Sequence, residues 1–181
     1  FACTTASILS GAVIERIRMA SFVVLAVILG SVVWNLAASW GWHPAGWLVT
    51  NYGYHDAVAS GVVHTISGFF ALGVLINLGP RIGKFNADGS ANQIRGHSLP
   101  MTITGLMLIV VGFFGFIGAC VLYNYGVGGG WTNIYGGPTT LSAYLFNTLM
   151  AVAGGIIGCY ACTRDPFWMM SGALCGVISA A

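Results

Sequence analysis

Charged residues are scarce in this sequence of 181 residues. Asp, Glu, Lys and Arg make up 6% of the chain, whereas a soluble domain carries about 25% charged residues. Hydrophobic residues make up 57%, and they form runs too long and too numerous to be core helices of a soluble domain. The shortage of charge therefore excludes a soluble globular protein and predicts a membrane protein.

A basic surface is also lacking. The net charge is only +2, and no stretch combines clustered Lys and Arg with interleaved aromatic residues, as a nucleic-acid-binding face would. We therefore expect no nucleic-acid partner.

The cysteines lack the pattern of a disulfide framework or a metal site. All five lie inside apolar runs, where cysteine usually serves as a small packed side chain. Cys159 and Cys162 form a CxxC pair, but no second pair or histidine cluster accompanies it. We expect no metal, no cofactor and no enzymatic activity.

A signal peptide is missing as well. The sequence begins at Phe1 inside an apolar run, without the charged segment and cleavage site of a secretory signal. The last residue, Ala181, lies in another apolar run. We expect the chain to be the middle part of a longer membrane protein.

Six apolar segments are present, and four of them are long enough to cross a membrane. At ~1.5 Å per residue, a helix of about 20 residues reaches across a hydrocarbon core of about 30 Å. The runs are continuous, which favours helices over barrel strands that alternate with a period of two. The predicted spans are 1–14 and 166–181, both cut short, and 19–39, 57–79, 100–123 and 139–162.

The distribution of the six Lys and Arg residues predicts the orientation. All of them follow the first, third or fifth span, and the loops 40–55 and 124–138 have none. Because basic loops lie on the cytoplasmic side, we expect the loops 15–18, 80–99 and 163–165 to be cytoplasmic. The polar loop 80–99 is either a solvated connection or a docking site for a cytoplasmic regulatory or signalling partner.

His64 is an ionisable residue inside the third span. It follows Asp56 by eight residues, which places it ~12 Å below the N-terminal end of the helix. Asp56 itself is predicted to accept hydrogen bonds from the free amides at that end. Helical spacing puts small residues on the face of His64, namely Ala57, Ser60, Gly61, Ser67, Gly68 and Ala71, and larger ones opposite, namely Val62, Ile66, Phe69 and Phe70. This face indicates either close helix packing around a hydrogen-bonded histidine or a conduit marked by an intramembrane ionisable group.

Two aromatic residues are predicted to lie near the depth of His64. Phe1 precedes Glu15, at the inner boundary, by fourteen residues, which places it ~9 Å below the outer surface. Phe116 lies ~10 Å below that surface, one helical turn before Cys120. Aromatic core packing would produce this arrangement, and so would a dehydrating gate above a histidine.

Six stretches in this order resemble the ammonium transporter family (Amt/Mep/Rh). They are "FACTTASILSGAVIERIR", "WHPAGWL", "DAVASGVVHTISG", "GHSLP", "GFFGF" and "FNTLMAVAGGIIG". The resemblance implies an all-α polytopic fold of eleven helices with an inverted repeat, of which residues 1–181 supply about six helices as one membrane domain. It also implies a homotrimer in the cell membrane, with one pore in each subunit and ammonium or ammonia as the substrate.

The resemblance implies a role for several residues of this chain. Phe1 and Phe116 match the two phenylalanines of the pore gate. Trp42 is similar to the tryptophan of the external cation site, although its loop to Asp56 is longer than usual, and Asp56 matches the aspartate that supports that site. His64 matches the first histidine of the pore's histidine pair.

One stretch departs from the family pattern. The family's "FGFNAGS" reads "FGFIGAC" here, so Ile117 replaces an asparagine and Cys120 replaces the serine whose hydroxyl faces the bound cation. We therefore expect Cys120 to contribute to substrate recruitment, beside Phe1, Trp42 and Asp56, in a weakened or altered form.

Together these features predict ammonium transport through a hydrophobic pore, with cation recruitment at the outer mouth, loss of a proton and passage of ammonia past the gate and His64. One alternative is an ammonium-sensing receptor that conducts poorly and is coupled to a signalling output. Another is a structural membrane subunit in which the aromatic residues are simply packed.

Overall fold

The computed structural model describes residues 1–125, 131–132 and 137–180. The described part is mainly helical, with one short antiparallel pair of strands, β1 and β2, in which Trp131 lies opposite Thr139. The helices are α1 (Ala2–Val13), α2 (Met19–Gly41), α3 (Trp47–Tyr52), α4 (Ser60–Leu78), α5 (Leu99–Tyr125), α6 (Leu141–Thr163) and α7 (Pro166–Ala180), and the strands are β1 (Trp131–Thr132) and β2 (Pro138–Thr139).

Four of these helices, α2, α4, α5 and α6, are long and apolar enough to cross a membrane. The apolar helices α1 and α7 are shorter, with 12 and 15 residues. The predicted all-α, multi-pass membrane architecture is therefore confirmed.

The predicted spans agree with the helices to within three residues at each described end. The largest error is at the third span, which was predicted from residue 57, whereas α4 begins at Ser60. The difference arises because the residues after Asp56 form a capping turn before the helix. The predicted outer loop 40–55 also contains an unpredicted helix, α3, and residues 126–130 and 133–136 of the predicted loop 124–138 lie outside the described residues.

Both α2 and α4 contain a π-helical segment, at Leu29–Val33 and Ser60–Thr65. A π turn is wider than an α turn, since its hydrogen bonds run from residue i to i+5. It therefore rotates the preceding side chains away from the positions that a period of 3.6 predicts. Of the residues in the predicted pattern, Val62, expected opposite His64, is 3% exposed, and Gly68, expected on the face of His64, is exposed.

The chain divides into two compact units, Phe1–Arg95 and Gly96–Ala181. In the first unit, α1 packs against α4 and against the π segment of α2. Its core contains Leu9, Val13, Leu29 and Ala71, all 5% exposed or less. The buried hydroxyl of Ser67 donates a hydrogen bond of 3.1 Å to the carbonyl oxygen of Thr5, which joins α4 to α1.

Arg16 joins the C-terminal ends of the same two helices. Its guanidinium donates to the carbonyl oxygens of Ala12 in α1, at 2.9 Å, and Gly79 just after α4, at 3.0 Å. Carbonyl groups at helix C-termini lack partners within the helix and favour a nearby cation. Arg16 therefore stabilises both helix ends on the side where the basic residues were predicted to lie.

The loop after α4 has its own hydrogen bonds. The Asp88 carboxylate accepts from the amide of Ser90 at 2.9 Å and from its hydroxyl at 2.6 Å, and these bonds hold the pKa of Asp88 below its usual value. Residues 85–97 are exposed throughout. The loop is thus a solvent-facing turn.

In the second unit, α6 and α7 are in close backbone contact through glycines. A Cβ atom on Gly155 would stand 2.7 Å from the Gly176 amide nitrogen and would collide with the Gly172 carbonyl oxygen. Small residues commonly allow membrane helices to approach in this way. The hydroxyl of Tyr144 in α6 donates to the carbonyl oxygen of Phe114 in α5 at 3.1 Å.

Candidate functional site around Trp42 and Asp56

Trp42 lies directly after the last residue of α2. Its backbone amide still donates to the carbonyl oxygen of Ala38 at 2.9 Å, so the helical geometry of α2 sets where the side chain begins. The half-buried indole donates from Nε1 to the backbone carbonyl oxygen of Asp56 at 2.8 Å. This bond links the end of α2 to the residue that precedes α4.

The Asp56 carboxylate caps the start of α4. Oδ1 accepts from the amides of Ala59 at 2.7 Å and Ser60 at 2.9 Å, and Oδ2 accepts from those of Gly61 and Val62, both at 2.9 Å. Amides at a helix N-terminus have no partner within the helix, and that end of the helix favours negative charge. The prediction that Asp56 accepts from these amides is confirmed. Asp56 as a whole is only 7% exposed.

The same bonds hold an unusual backbone conformation. Ala59 has φ of 78°, a left-handed conformation that is uncommon for any residue other than glycine. Such conformations persist where the surrounding structure determines them strongly. The hydrogen bond from the Ala59 amide to Asp56 is part of that determination.

Tyr54 belongs to this cluster and was not predicted. Its hydroxyl donates to Asp56 Oδ2 at 3.1 Å. Burial, reinforced by the charge of Asp56 and by this hydrogen bond, raises the pKa of Tyr54 above its usual value, so loss of the phenol proton is even less favourable than for an exposed tyrosine. The sequence contained no periodicity or motif that would have identified this tyrosine, because its contact depends on the turn between Tyr54 and Asp56.

Two aromatic rings contact Trp42. The Phe1 ring meets the Trp42 ring edge to face, with the centroids 4.9 Å apart and an interplanar angle of 74°. The Trp34 ring lies on Trp42 at 6.3 Å and 79°. Phe1 is 46% exposed, so this aromatic group has an accessible side, and such rings attract cations through their negative faces. Trp34 was also missed, although its spacing of eight residues from Trp42 is compatible with one helix face.

His64 lies on the π segment that begins α4. It is half-buried, and its backbone amide donates to the carbonyl oxygen of Ala59 at 3.2 Å. His64 thus follows by two residues Val62, the last residue whose amide donates to the Asp56 carboxylate. An imidazole at this position adds a group that can both donate and accept a hydrogen bond.

Phe116 and Cys120 belong to the second unit, on α5. The Phe116 ring meets the ring of Phe113 edge to face at 5.8 Å, and Cys120 is half-buried. The expected pairing of Phe116 with Phe1, and the expected share of Cys120 in the outer site, stay predictions. Within residues 1–125, 131–132 and 137–180, His, Cys, Asp and Glu side chains form no group that could hold a metal ion.

Comparison with known proteins identifies relatives along the whole chain. The model of the Ammonium Transporter Family matches residues 1–181. Ammonium transporter Amt2 of Archaeoglobus fulgidus is 30% identical over 181 residues, which cover 95% of this chain and 35% of that protein. Ammonium transporter Amt2 of Methanocaldococcus jannaschii is 33% identical over 180 residues, which cover 99% and 39%.

A plant relative matches a shorter part. Ammonium transporter 1 member 3 of Solanum lycopersicum is 35% identical over 123 residues, which cover 64% of this chain and 27% of that protein. The chain thus spans less than half the length of each of these three relatives. No solved structure matches the chain.

Proposed function

The chain belongs to the Ammonium Transporter Family, and we propose that it forms part of an ammonium-conducting pore whose outer cation site is built around Trp42. The contact of Trp42 with both Phe1 and Asp56 carries this proposal. The names of the archaeal relatives, which are ammonium transporters, support the choice of substrate.

The outer site recruits ammonium through aromatic faces. The rings of Phe1 and Trp42 lie together and have an accessible side, and a cation over such a ring gains about 0.5 to 2 kcal/mol, depending on how far it is desolvated. The bond from the indole to the Asp56 carbonyl oxygen fixes the orientation of Trp42. Asp56 thus supports the site from below, while its carboxylate is occupied with the amides of α4.

Further passage requires the loss of charge. Burying an unpaired cation in an apolar passage costs far more than the aromatic contact gains, so the proposed substrate gives its proton to an acceptor at the mouth and continues as ammonia. The proton crosses separately along a polar path that includes His64, so that transport carries net charge. Phe1 and Phe116 form the proposed gate, and His64 the polar group beyond it. Potassium has no proton to give up, and this difference accounts for the proposed selectivity.

The surroundings of the pore follow the same proposal. The protein is a homotrimer in the cell membrane, with the loops 15–18, 80–99 and 163–165 in the cytoplasm. The exposure of residues 85–97 supports a solvated loop there. Cys120 contributes to the outer site with a thiol, which is a weaker hydrogen-bonding group than a hydroxyl.

Ammonium uptake by the full-length protein in proteoliposomes tests the proposed function. Trp42→Leu removes both the aromatic face and the bond to Asp56, so we expect the apparent KM for ammonium to rise by roughly tenfold. Trp40→Leu is the matched control, since Trp40 is 44% exposed and its ring lies on Trp47 rather than on Phe1.

An unchanged KM in Trp42→Leu would contradict the outer site. Ammonium binding without uptake by the unaltered full-length protein would favour the sensing receptor instead.

A further inference from the structure

Tyr54 contacts both helix ends that form the outer site. Its ring lies at the C-terminal end of α2, where Cε1 is 3.0 Å from the position that a Cβ atom on Gly41 would take. Its hydroxyl lies at the start of α4, at the position that a Cβ atom on Gly61 would occupy. Both glycines therefore leave room for this one side chain.

The hydroxyl completes the hydrogen bonding of Asp56. Oδ2 accepts from the Gly61 and Val62 amides and from the Tyr54 hydroxyl. These bonds restrict the rotation of the carboxylate about the side chain, because each of its oxygens is held by two or more donors. The backbone of the same residue supplies the carbonyl oxygen that accepts from Trp42.

The chain of contacts therefore runs from Tyr54 to the aromatic rings. The hydroxyl holds the Asp56 side chain, the Asp56 carbonyl oxygen holds the Trp42 indole, and the Trp42 ring meets Phe1. Tyr54 reaches the substrate only through these residues.

We propose that Tyr54 is a positioning residue of the outer cation site, which sets the orientation of the Trp42 indole through Asp56 and needs glycine at position 61 to do so. The inference rests on the proposed function of Trp42 in recruiting ammonium. It adds a residue whose role is to keep the recruiting ring in place.

The first test is Tyr54→Phe in the full-length protein, with ammonium uptake by proteoliposomes as the measurement. The substitution keeps the ring against Gly41 and removes only the hydroxyl. We expect the apparent KM for ammonium to rise about five- to tenfold, because one hydrogen bond to a charged group is lost and Tyr54 acts on the substrate only through Asp56 and Trp42. The maximal rate per folded protein should be unchanged. Tyr52→Phe is the control, since Tyr52 is 75% exposed and its ring lies on Trp47.

A change in the maximal rate or in the yield of folded protein alone, with a normal KM, would overturn the proposal. That result would mean that Tyr54 supports the fold and does not set the orientation of the site.

The second test restores the hydroxyl from the other side. A Cβ atom on Gly61 would lie 3.5 Å from Asp56 Oδ2, so a serine hydroxyl there reaches hydrogen-bonding distance once the tyrosine is removed. We expect Tyr54→Ala to raise the KM at least as much as Tyr54→Phe, and Gly61→Ser in the Tyr54→Ala background to bring it back to within about twofold of the unaltered protein. Gly61→Ser with Tyr54 present should raise the KM, because the new Cβ atom would occupy the position of the Tyr54 hydroxyl.

Failure of the rescue, with Tyr54→Phe also normal in KM, would overturn the role of the hydroxyl. Trp42→Leu in the same assay separates this inference from the proposed function. If Trp42→Leu raises the KM and Tyr54→Phe does not, the positioning role is wrong and the outer site stands. If Trp42→Leu leaves the KM unchanged, the outer site and the positioning role are both wrong.

Discussion

The Trp42 indole donates a hydrogen bond of 2.8 Å to the backbone carbonyl oxygen of Asp56, fourteen residues further along the chain. The loop between them contains α3, and Gly53, which follows that helix, has a left-handed conformation with φ of 63°. That turn brings the chain back so that the residue after α2 and the residue before α4 are in direct contact. The Trp42 indole thus has its ring beside Phe1, and its Nε1 is held by the backbone of Asp56.

Trp42→Phe separates these two features of the indole. Phenylalanine keeps an aromatic face and lacks the Nε1 donor, so we expect the apparent KM for ammonium to rise by about fivefold, as for one neutral hydrogen bond of about 1 kcal/mol. The increase should be smaller than that in Trp42→Leu, which also lacks the ring. Ammonium uptake by both variants is measured in proteoliposomes. An equal KM in the phenylalanine and leucine variants would show that the aromatic face of residue 42 does not contribute to recruitment.

Asp56→Asn tests the cap of α4. The substitution removes the negative charge and replaces one acceptor oxygen with an NH2 group. That group is a donor, so it cannot accept from the two backbone amides that it faces. We expect the full-length protein to lose about 1 to 3 kcal/mol of stability, measured as a lower Tm in detergent. The control is Asp88→Asn, at a fully exposed loop carboxylate, and an equal loss in both variants would show that the cap contributes nothing specific.

Two glycines of α6 should respond differently to the same substitution. In Gly155→Ala the new methyl group meets the backbone of α7, so α6 and α7 must separate, which costs about 1 to 3 kcal/mol. In Gly158→Ala nothing lies within 4 Å of the new atom, and alanine favours a helix by up to about 1 kcal/mol. The Tm should therefore fall in Gly155→Ala and rise in Gly158→Ala. A change of Tm in the same direction for both variants would contradict the close contact at Gly155.

His64→Leu tests whether the pore needs a polar group at this depth. Leucine fills a similar volume and can neither donate nor accept a hydrogen bond, so we expect electrogenic ammonium transport to fall at least about tenfold, since a polar group left without a partner costs about 1 to 3 kcal/mol. Ammonium binding at the proposed outer site and assembly of the proposed trimer should be nearly unchanged. Solid-supported-membrane current and binding are measured on one preparation, with His97→Leu in the exposed loop 80–99 as the control.

Normal current in folded His64→Leu protein would assign the histidine to helix packing alone. That was the other interpretation of the small residues around it.

Cys120→Ser tests the second unit's share in the outer site. A serine hydroxyl accepts a hydrogen bond better than a thiol, so we expect the apparent affinity for ammonium to rise by about fivefold, or about 1 kcal/mol. Cys175→Ser, at an exposed cysteine of α7, should leave it unchanged. Equal or lower affinity in Cys120→Ser would mean that this position does not contribute to cation binding.

Much of the architecture was predictable from the sequence for a simple reason. A hydrocarbon environment leaves the backbone only its own hydrogen bonds, so a continuous apolar run of sufficient length must be helical. The limits of α2 and α6 followed from the apolar runs to within two residues. The family was predictable as well, because six ordered stretches carry the resemblance and the family model matches residues 1–181.

Helix phase was less predictable. The spacing argument assumed 3.6 residues per turn, whereas Ser60–Thr65 is a π segment. Hydrophobicity does not reveal this, because one additional residue in a turn leaves the apolar run unchanged while it rotates every side chain before it.

The sequence by itself determined that this protein crosses a membrane, where its long apolar helices lie, and that Asp56 would accept hydrogen bonds from the first amides of α4. These features depend on composition and on neighbours along the chain. Only the tertiary structure decided that Trp42 donates to Asp56 and that the Tyr54 hydroxyl lies over Gly61. These contacts depend on how the loop between α2 and α4 turns back. A turn of this kind is set by a left-handed glycine and by hydrogen bonds between distant residues, and neither has a periodic signal in the sequence.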